Sequence, residues 1–173
     1  VSLTLTQTGV SIAKGEGLFL EARASFSDGT SGDVTSLAMW SSSDSAIAEA
    51  STAPGTQGLV MGMGQGVAEI RATLNGKLAT ATVEVTAPRL LSLVVGPNAP
   101  AVSLGMQQAM TATGTYTDGT EADLAGLVTW SSSNPGVAEV SAQGVVTGMA
   151  QGNARVVADL APFSSSQPVT VTP

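Results

Sequence analysis

The sequence predicts an all-β chain folded as two tandem β-sandwiches, and three observations carry that prediction. Gly, Ala, Ser, Thr and Val dominate the 173 residues and charged residues make up only 11%. No stretch therefore offers the Glu/Lys/Arg/Leu mixture that sustains surface helices. The chain also repeats itself at a constant offset. Within each copy, apolar residues alternate with period two between clusters of turn residues, the pattern of half-buried strands.

The repeat organises everything else. Asp28-Gly-Thr-Ser-Gly-Asp-Val-Thr-Ser-Leu-Ala-Met-Trp-Ser-Ser-Ser-Asp44 aligns with Asp118-Gly-Thr-Glu-Ala-Asp-Leu-Ala-Gly-Leu-Val-Thr-Trp-Ser-Ser-Ser-Asn134 at an offset of 90. Upstream the same offset pairs Gly15 with Gly105, Leu20 with Met110 and Phe26 with Tyr116. Beyond Ser51 and Ser141 it drops to 86, because the first copy carries about four extra residues near Thr52-Ala-Pro-Gly-Thr56. Gly58, Gly62 and Gly66 then meet Gly144, Gly148 and Gly152. The domains are read as 1–87 and 88–173, each close to the ~100 residues of an immunoglobulin-like Greek-key sandwich. Pro88 fixes its own φ and pushes its predecessor to extended geometry, so a short stiff joint is expected at Ala87-Pro88-Arg89.

Taken in order, Leu18, Leu20, Ala22, Ala24 and Phe26 read as one alternating strand that ends in the turn Ser27-Asp28-Gly29-Thr30. Ala38 and Trp40, with Val128 and Trp130, mark one face of the next long strand. Ala68, Ile70 and Ala72 point inward against Glu69 and Arg71, with Ala154, Val156 and Ala158 as counterparts. Asn75-Gly76 is a strong hairpin signal. The second copy has Leu160-Ala-Pro-Phe163 and Ser164-Ser-Ser there, which predicts a longer and wider loop. Only 3% of residues are aromatic, so the cores must be built mainly from Val, Ala, Leu and Met. Trp40 and Trp130 read as core, and Met61, Met63, Met106, Met110 and Met149 as fillers of core gaps.

Composition excludes several functions. Thirteen acids against six bases give a net charge of −7 with no basic run, which disfavours nucleic acid and anionic membranes as partners. No apolar stretch reaches the roughly 20 residues of a membrane span, so direct membrane insertion is not expected. Val1 stands inside a strand-like pattern without a signal peptide, as in a piece of something larger. With neither Cys nor His, disulfides, Ser-His-Asp and Cys-His nucleophile systems and their metal sites are missing. Trp-Ser-Ser-Ser lacks the flanking glycines of a nucleophile elbow, and Gly62-Met-Gly-Gln-Gly66 lacks the lysine and helix of a phosphate loop.

What remains are acids. Asp28 with Asp33, and Asp118 with Glu121 or Asp123, would be the carboxylate pairs of a glycosidase, but they recur in both copies at the same turn of a module too small for a deep cleft. The same residues admit calcium, with Asp28, Asp33, Asp118 and Asp123 as hard oxygen ligands, although their spacing fits no EF-hand. The competing reading makes each Asp-Gly a turn former. Phe163, beside Pro162, is the one ring expected to be exposed, and so the candidate for a binding contact.

The ordered motifs Tyr116-Thr-Asp-Gly-Thr120, Val128-Thr-Trp-Ser-Ser-Ser-Asn-Pro135, Val137-Ala-Glu-Val-Ser141, Gly144-Val-Val-Thr-Gly148 and Gly152-Asn-Ala154 resemble the bacterial immunoglobulin-like domain, group 2, over both copies. The resemblance implies a core Trp packed without a disulfide. It also implies a structural module of an extracellular or bacterial cell-surface protein such as an intimin- or invasin-like adhesin. The function expected is therefore a non-catalytic spacer pair supporting adhesion, with neighbouring domains of a larger parent as partners. The alternative is a ligand-binding module for a host or surface protein or a glycan, acting through end loops and stabilised by calcium; no other cofactor is expected.

Overall fold

A computed structural model describes residues 1–173, and it contains strands and turns but no α-helix. The chain divides into two compact units, Val1–Arg89 and Leu90–Pro173. Each is an immunoglobulin-like Greek-key sandwich. In the first unit the strands are β1 (Ser2–Leu5), β2 (Gly9–Ala13), β3 (Gly17–Phe19), β4 (Ala22–Ser25), β5 (Ser31–Asp33), β6 (Met39–Ser42), β7 (Ala48–Ala50), β8 (Leu59–Gly62), β9 (Gly66–Leu74) and β10 (Lys77–Thr86).

One layer is the four-stranded sheet β2-β10-β9-β6; the other is formed by two three-stranded pieces, β1-β4-β5 and β3-β8-β7. The N-terminal segment serves both layers: β1 runs antiparallel to β4, whereas β2 runs parallel to β10. The single strand predicted through Leu18 to Phe26 is broken into β3 and β4, because the chain changes partners there, from β8 to β1 and β5. Leu20 N–H donates to Gly58 O at 2.8 Å and Thr6 N–H to Glu21 O at 3.1 Å, which satisfies the backbone at the break. Phe26 lies past the end of β4, in the turn, and is exposed rather than inward.

The second unit repeats the plan with β11 (Leu90–Gly96), β12 (Ala101–Ser103), β13 (Gln107–Ala109), β14 (Thr111–Tyr116), β15 (Glu121–Asp123), β16 (Thr129–Ser132), β17 (Ala138–Val140), β18 (Val145–Gly148), β19 (Gly152–Leu160) and β20 (Phe163–Thr172). The sheets are β12-β20-β19-β16, β11-β14-β15 and β13-β18-β17. β10 thus ends at Thr86 and β11 begins at Leu90.

Both hairpins between the last two strands are two-residue turns. Lys77 pairs with Leu74 across Asn75-Gly76, whose φ values of 48° and 72° suit the turn type that matches strand twist. Phe163 pairs with Leu160 across Ala161-Pro162, which corrects the longer, wider loop expected for the second copy. Proline sits in the turn itself, where no ladder N–H is required, and the serine run lies within β20 with its backbone paired to β19. Ser165 Oγ accepts from Val95 N–H at 3.1 Å, and Gln167 Nε2 donates to Val95 O at 3.0 Å, tying β20 to β11 across the edge of the two layers.

The cores follow the alternation. In the first unit Leu20, Ile70, Val60, Val83 and Val85 are fully buried with Trp40, and in the second Val95, Val146, Val156 and Val169 are fully buried with Trp130 at 9% exposure. No buried side-chain polar atom lacks a partner. Of the methionines, Met110 fills the core as expected and Met61 is half-buried, but Met63, Met106 and Met149 are exposed. They occupy connections beyond strand ends, where the period-two argument has no hold.

Candidate functional site

The acidic residues are placed by the β4–β5 hairpin and the turn that follows it. Asp28 Oδ1 accepts from the Thr30 N–H at 3.0 Å and the Thr30 hydroxyl at 2.7 Å. Asp118 does the same with Thr120, at 3.1 and 2.6 Å. Both acids therefore close the tip of a hairpin through their own local geometry. Asp33, at the end of β5, accepts from the Thr35 N–H at 2.8 Å and the Thr35 hydroxyl at 2.6 Å, and Asp123 accepts from the Ala125 N–H at 2.9 Å. Glu121 opens β15 opposite Thr115. No three acidic side chains gather closely enough to hold a metal ion.

Hydrogen bonds to the Thr30 hydroxyl and N–H hold the Asp28 carboxyl below the usual carboxylate range. The Thr35 hydroxyl and N–H, with the charge of Arg23, lower Asp33 likewise. A depressed carboxyl is a poor general acid at neutral pH, and both groups are exposed to solvent.

The turn capped by Asp33 carries the carbonyl that satisfies the core tryptophan. Trp40 Nε1 donates to Thr35 O at 2.9 Å, and Trp130 Nε1 to Ala125 O at 2.9 Å. In the first unit the Thr35 hydroxyl also accepts from the Ala22 N–H at 2.9 Å, which joins β4, the turn and the ring. Asp33 and Asp123 thus cap the turn that receives the indole N–H, while Asp28 and Asp118 hold the hairpin tip before it. Gly58 and Gly144 approach that ring with φ of +85° and +77°. A Cβ there would stand 2.4 Å from Leu20 O in the first unit and 2.8 Å from Trp130 Cε2 in the second.

The serines after each Trp also serve the backbone. Ser42 Oγ accepts from Asp44 N–H at 3.1 Å and Ser43 Oγ from Glu69 N–H at 2.9 Å, and Ser132 and Ser133 repeat this with Asn134 and Arg155. Gly62 ends β8 and Gly66 opens β9, so the glycine run links two strands.

Phe163 is half-buried against the second core, which corrects its reading as the exposed ring: it opens β20 opposite Leu160 and its side chain packs inward. The exposed rings are Phe19, at 60% exposure, and Phe26. Phe19 pairs with Leu59, and Gly17 with Met61, across β3 and β8, so these side chains form an apolar row on the outer face. The second unit has Ala109, Val145, Gln107 and Thr147 at the same register positions. Comparing the two copies position by position is the sequence signal for this row, and reading each copy alone hides it.

The bacterial Ig-like domain (group 2) profile matches residues 1–87 and 92–160. Ice-binding protein 1 of Shewanella frigidimarina (strain NCIMB 400) is 39% identical over 176 residues, covering 99% of this chain. The chain spans only 19% of that relative's length. Among solved structures, domains 4 and 5 of the S-layer protein SbsC overlay with a TM-score of 0.47 at 19% identity, over 100% of this chain and 98% of that one. Domains A168–A170 of titin overlay with a TM-score of 0.43 at 10% identity, over 98% of this chain and 65% of that one.

Proposed function

The chain belongs to the bacterial Ig-like domain (group 2) family, and from that premise we propose that this tandem pair is a non-catalytic spacer within a bacterial cell-surface or secreted protein. It holds a neighbouring functional domain, such as an adhesive one, away from its anchor. The observation that carries this reading is the fate of the recurrent polar motif: its acids, hydroxyls and indole N–H groups are engaged in holding turns and core together.

The joint supports it. Arg89 pairs with Glu16 in the first unit, Leu90 packs on the core of the second, and only three residues separate β10 from β11. Spin labels on one exposed strand of each unit test the idea, with a single narrow distance distribution expected. A broad distribution, as from freely tumbling modules, would refute the spacer role.

A relative that binds ice suggests that such a pair can carry an ice-binding domain. On the spacer reading the isolated chain leaves ice crystal growth unaltered; faceted crystals in its presence would assign ice contact to these modules instead. A second reading rests on the Phe19–Leu59–Met61 row, present only in the first unit, which suits an apolar patch on a host or surface protein. Loss of binding to a surface-protein panel on Phe19→Ser would support that reading, and unchanged binding would remove it.

A further inference from the structure

In both units a strand from the N-terminal segment runs beside the last strand and in the same direction: β2 with β10, and β12 with β20. The first ladder holds five register pairs, from Gly9 with Thr82 to Ala13 with Thr86. The second keeps the same register but only three, from Ala101 with Thr170 to Ser103 with Thr172.

Two prolines account for the shortening. At the offsets of 90 and 86, Pro100 stands where the first unit has Val10, and Pro168 where it has Thr82. Thr82 N–H donates to Thr8 O at 2.8 Å, and Pro168 has no N–H with which to repeat that bond. Pro100 likewise brings no donor, although its carbonyl accepts from Thr170 N–H at 3.1 Å. The other end of the ladder is alike in both units, with Lys14 N–H donating to Thr86 O at 3.1 Å and Leu104 N–H to Thr172 O at 2.9 Å. Side chains replace part of what the prolines remove, since Ser165 and Gln167 tie β20 to Val95.

We infer that this parallel pair is the mechanical clamp of each module, and that the second unit is the one that yields first under tension. Pulling a module by its two ends draws β2 back toward its N-terminal side and β10 forward toward its C-terminal side. Because the strands are adjacent and parallel, those forces slide one along the other, and the evenly spaced rungs resist together rather than in turn. Resistance then grows with the number of rungs, so the ladder of three pairs gives way at lower force than the ladder of five. The ties to Val95 run through side chains that can change rotamer, and they substitute only in part for main-chain rungs. That the chain bears tension rests on the spacer reading, whereas the difference between the units rests on the two ladders. A broad spin-label distribution would therefore remove the first and leave the second standing.

Single-molecule pulling on the whole chain, tethered at its two ends, is the test. Two rupture events at distinct forces are expected, the lower one from the second unit. Pro168→Thr restores a main-chain donor and should raise the lower event toward the higher; Thr82→Pro transplants the proline and should bring the higher event down. Forced unfolding reads the unfolding rate rather than the equilibrium stability, so these shifts are separate from any change in melting. Indistinguishable forces for the two units, or a lower event that Pro168→Thr leaves in place, would overturn the inference.

Discussion

Trp40 and its carbonyl partner show how the recurrent motif is held together by single contacts. Trp40→Phe keeps most of the ring but leaves Thr35 O without its indole donor, and a loss of roughly 1–3 kcal/mol is expected in urea unfolding of the first unit. Gly58→Ala should cost more than about 1 kcal/mol, because it combines a left-handed backbone with a clash against Leu20 O. The carboxylates set a pH dependence. Glu16 is lowered by the Arg89 hydrogen bond and then by the Ala13 N–H, and Asp28 and Asp33 by their threonines. A carboxyl whose folded pKa lies below its unfolded one adds stability that is fully present above the ordinary value near 4 and disappears as pH falls through the folded value. Melting temperature should therefore fall below about pH 4, and less steeply in an Asp28→Ala/Asp33→Ala double variant; parallel profiles would show that these acids contribute nothing to the acid limb. Because Asp28, Asp33, Asp118 and Asp123 each accept hydrogen bonds within their own turns, millimolar calcium should leave the melting temperature unchanged. A calcium-dependent rise would restore the metal reading.

At the scale of elements, the two copies solve the same hairpin with different chemistry. Asn75-Gly76 provides two positive φ values, so Gly76→Ala should destabilise the first unit by about 1 kcal/mol in chemical denaturation and leave the second unaffected. Ala161-Pro162 closes the other hairpin, and β20 compensates for its polar sequence by bonding to β11. Gln167 is central there, since it donates to Val95 O and accepts from Ala99 N–H. Gln167→Ala should cost about 1–2 kcal/mol, seen only in the transition of the second unit. The strand break at Leu20-Glu21 belongs to this scale too. Alternation through Leu18, Leu20, Ala22 and Ala24 is real, but alternation says which face a residue takes and nothing about which strand it will pair with.

For the whole molecule, two units with separate cores should each fold when expressed alone, as 1–89 and 90–173. Keeping Arg89 in the first fragment matters, because it pairs with Glu16. The two-copy plan, the all-β class and the core positions of Trp40 and Trp130 were legible in the sequence, because an internal repeat is a comparison that one chain makes with itself and period-two patterning is local. The roles of the acids were half legible: Asp28 and Asp118 are turn formers by their own neighbourhood, but that Asp33 and Asp123 shape the turn whose carbonyl receives the tryptophan N–H depends on where β6 returns beneath it. Phe163, the exposed methionines and the loop after Leu160 were misread, since burial at a strand end depends on what the opposite layer brings over it. The sequence by itself determined how many modules there are, which residues alternate and which chemistries are absent. Only the tertiary structure decided which apolar side chains are covered, because coverage is set by contacts between residues far apart along the chain, as the half-buried Phe163 and the exposed Phe19 show.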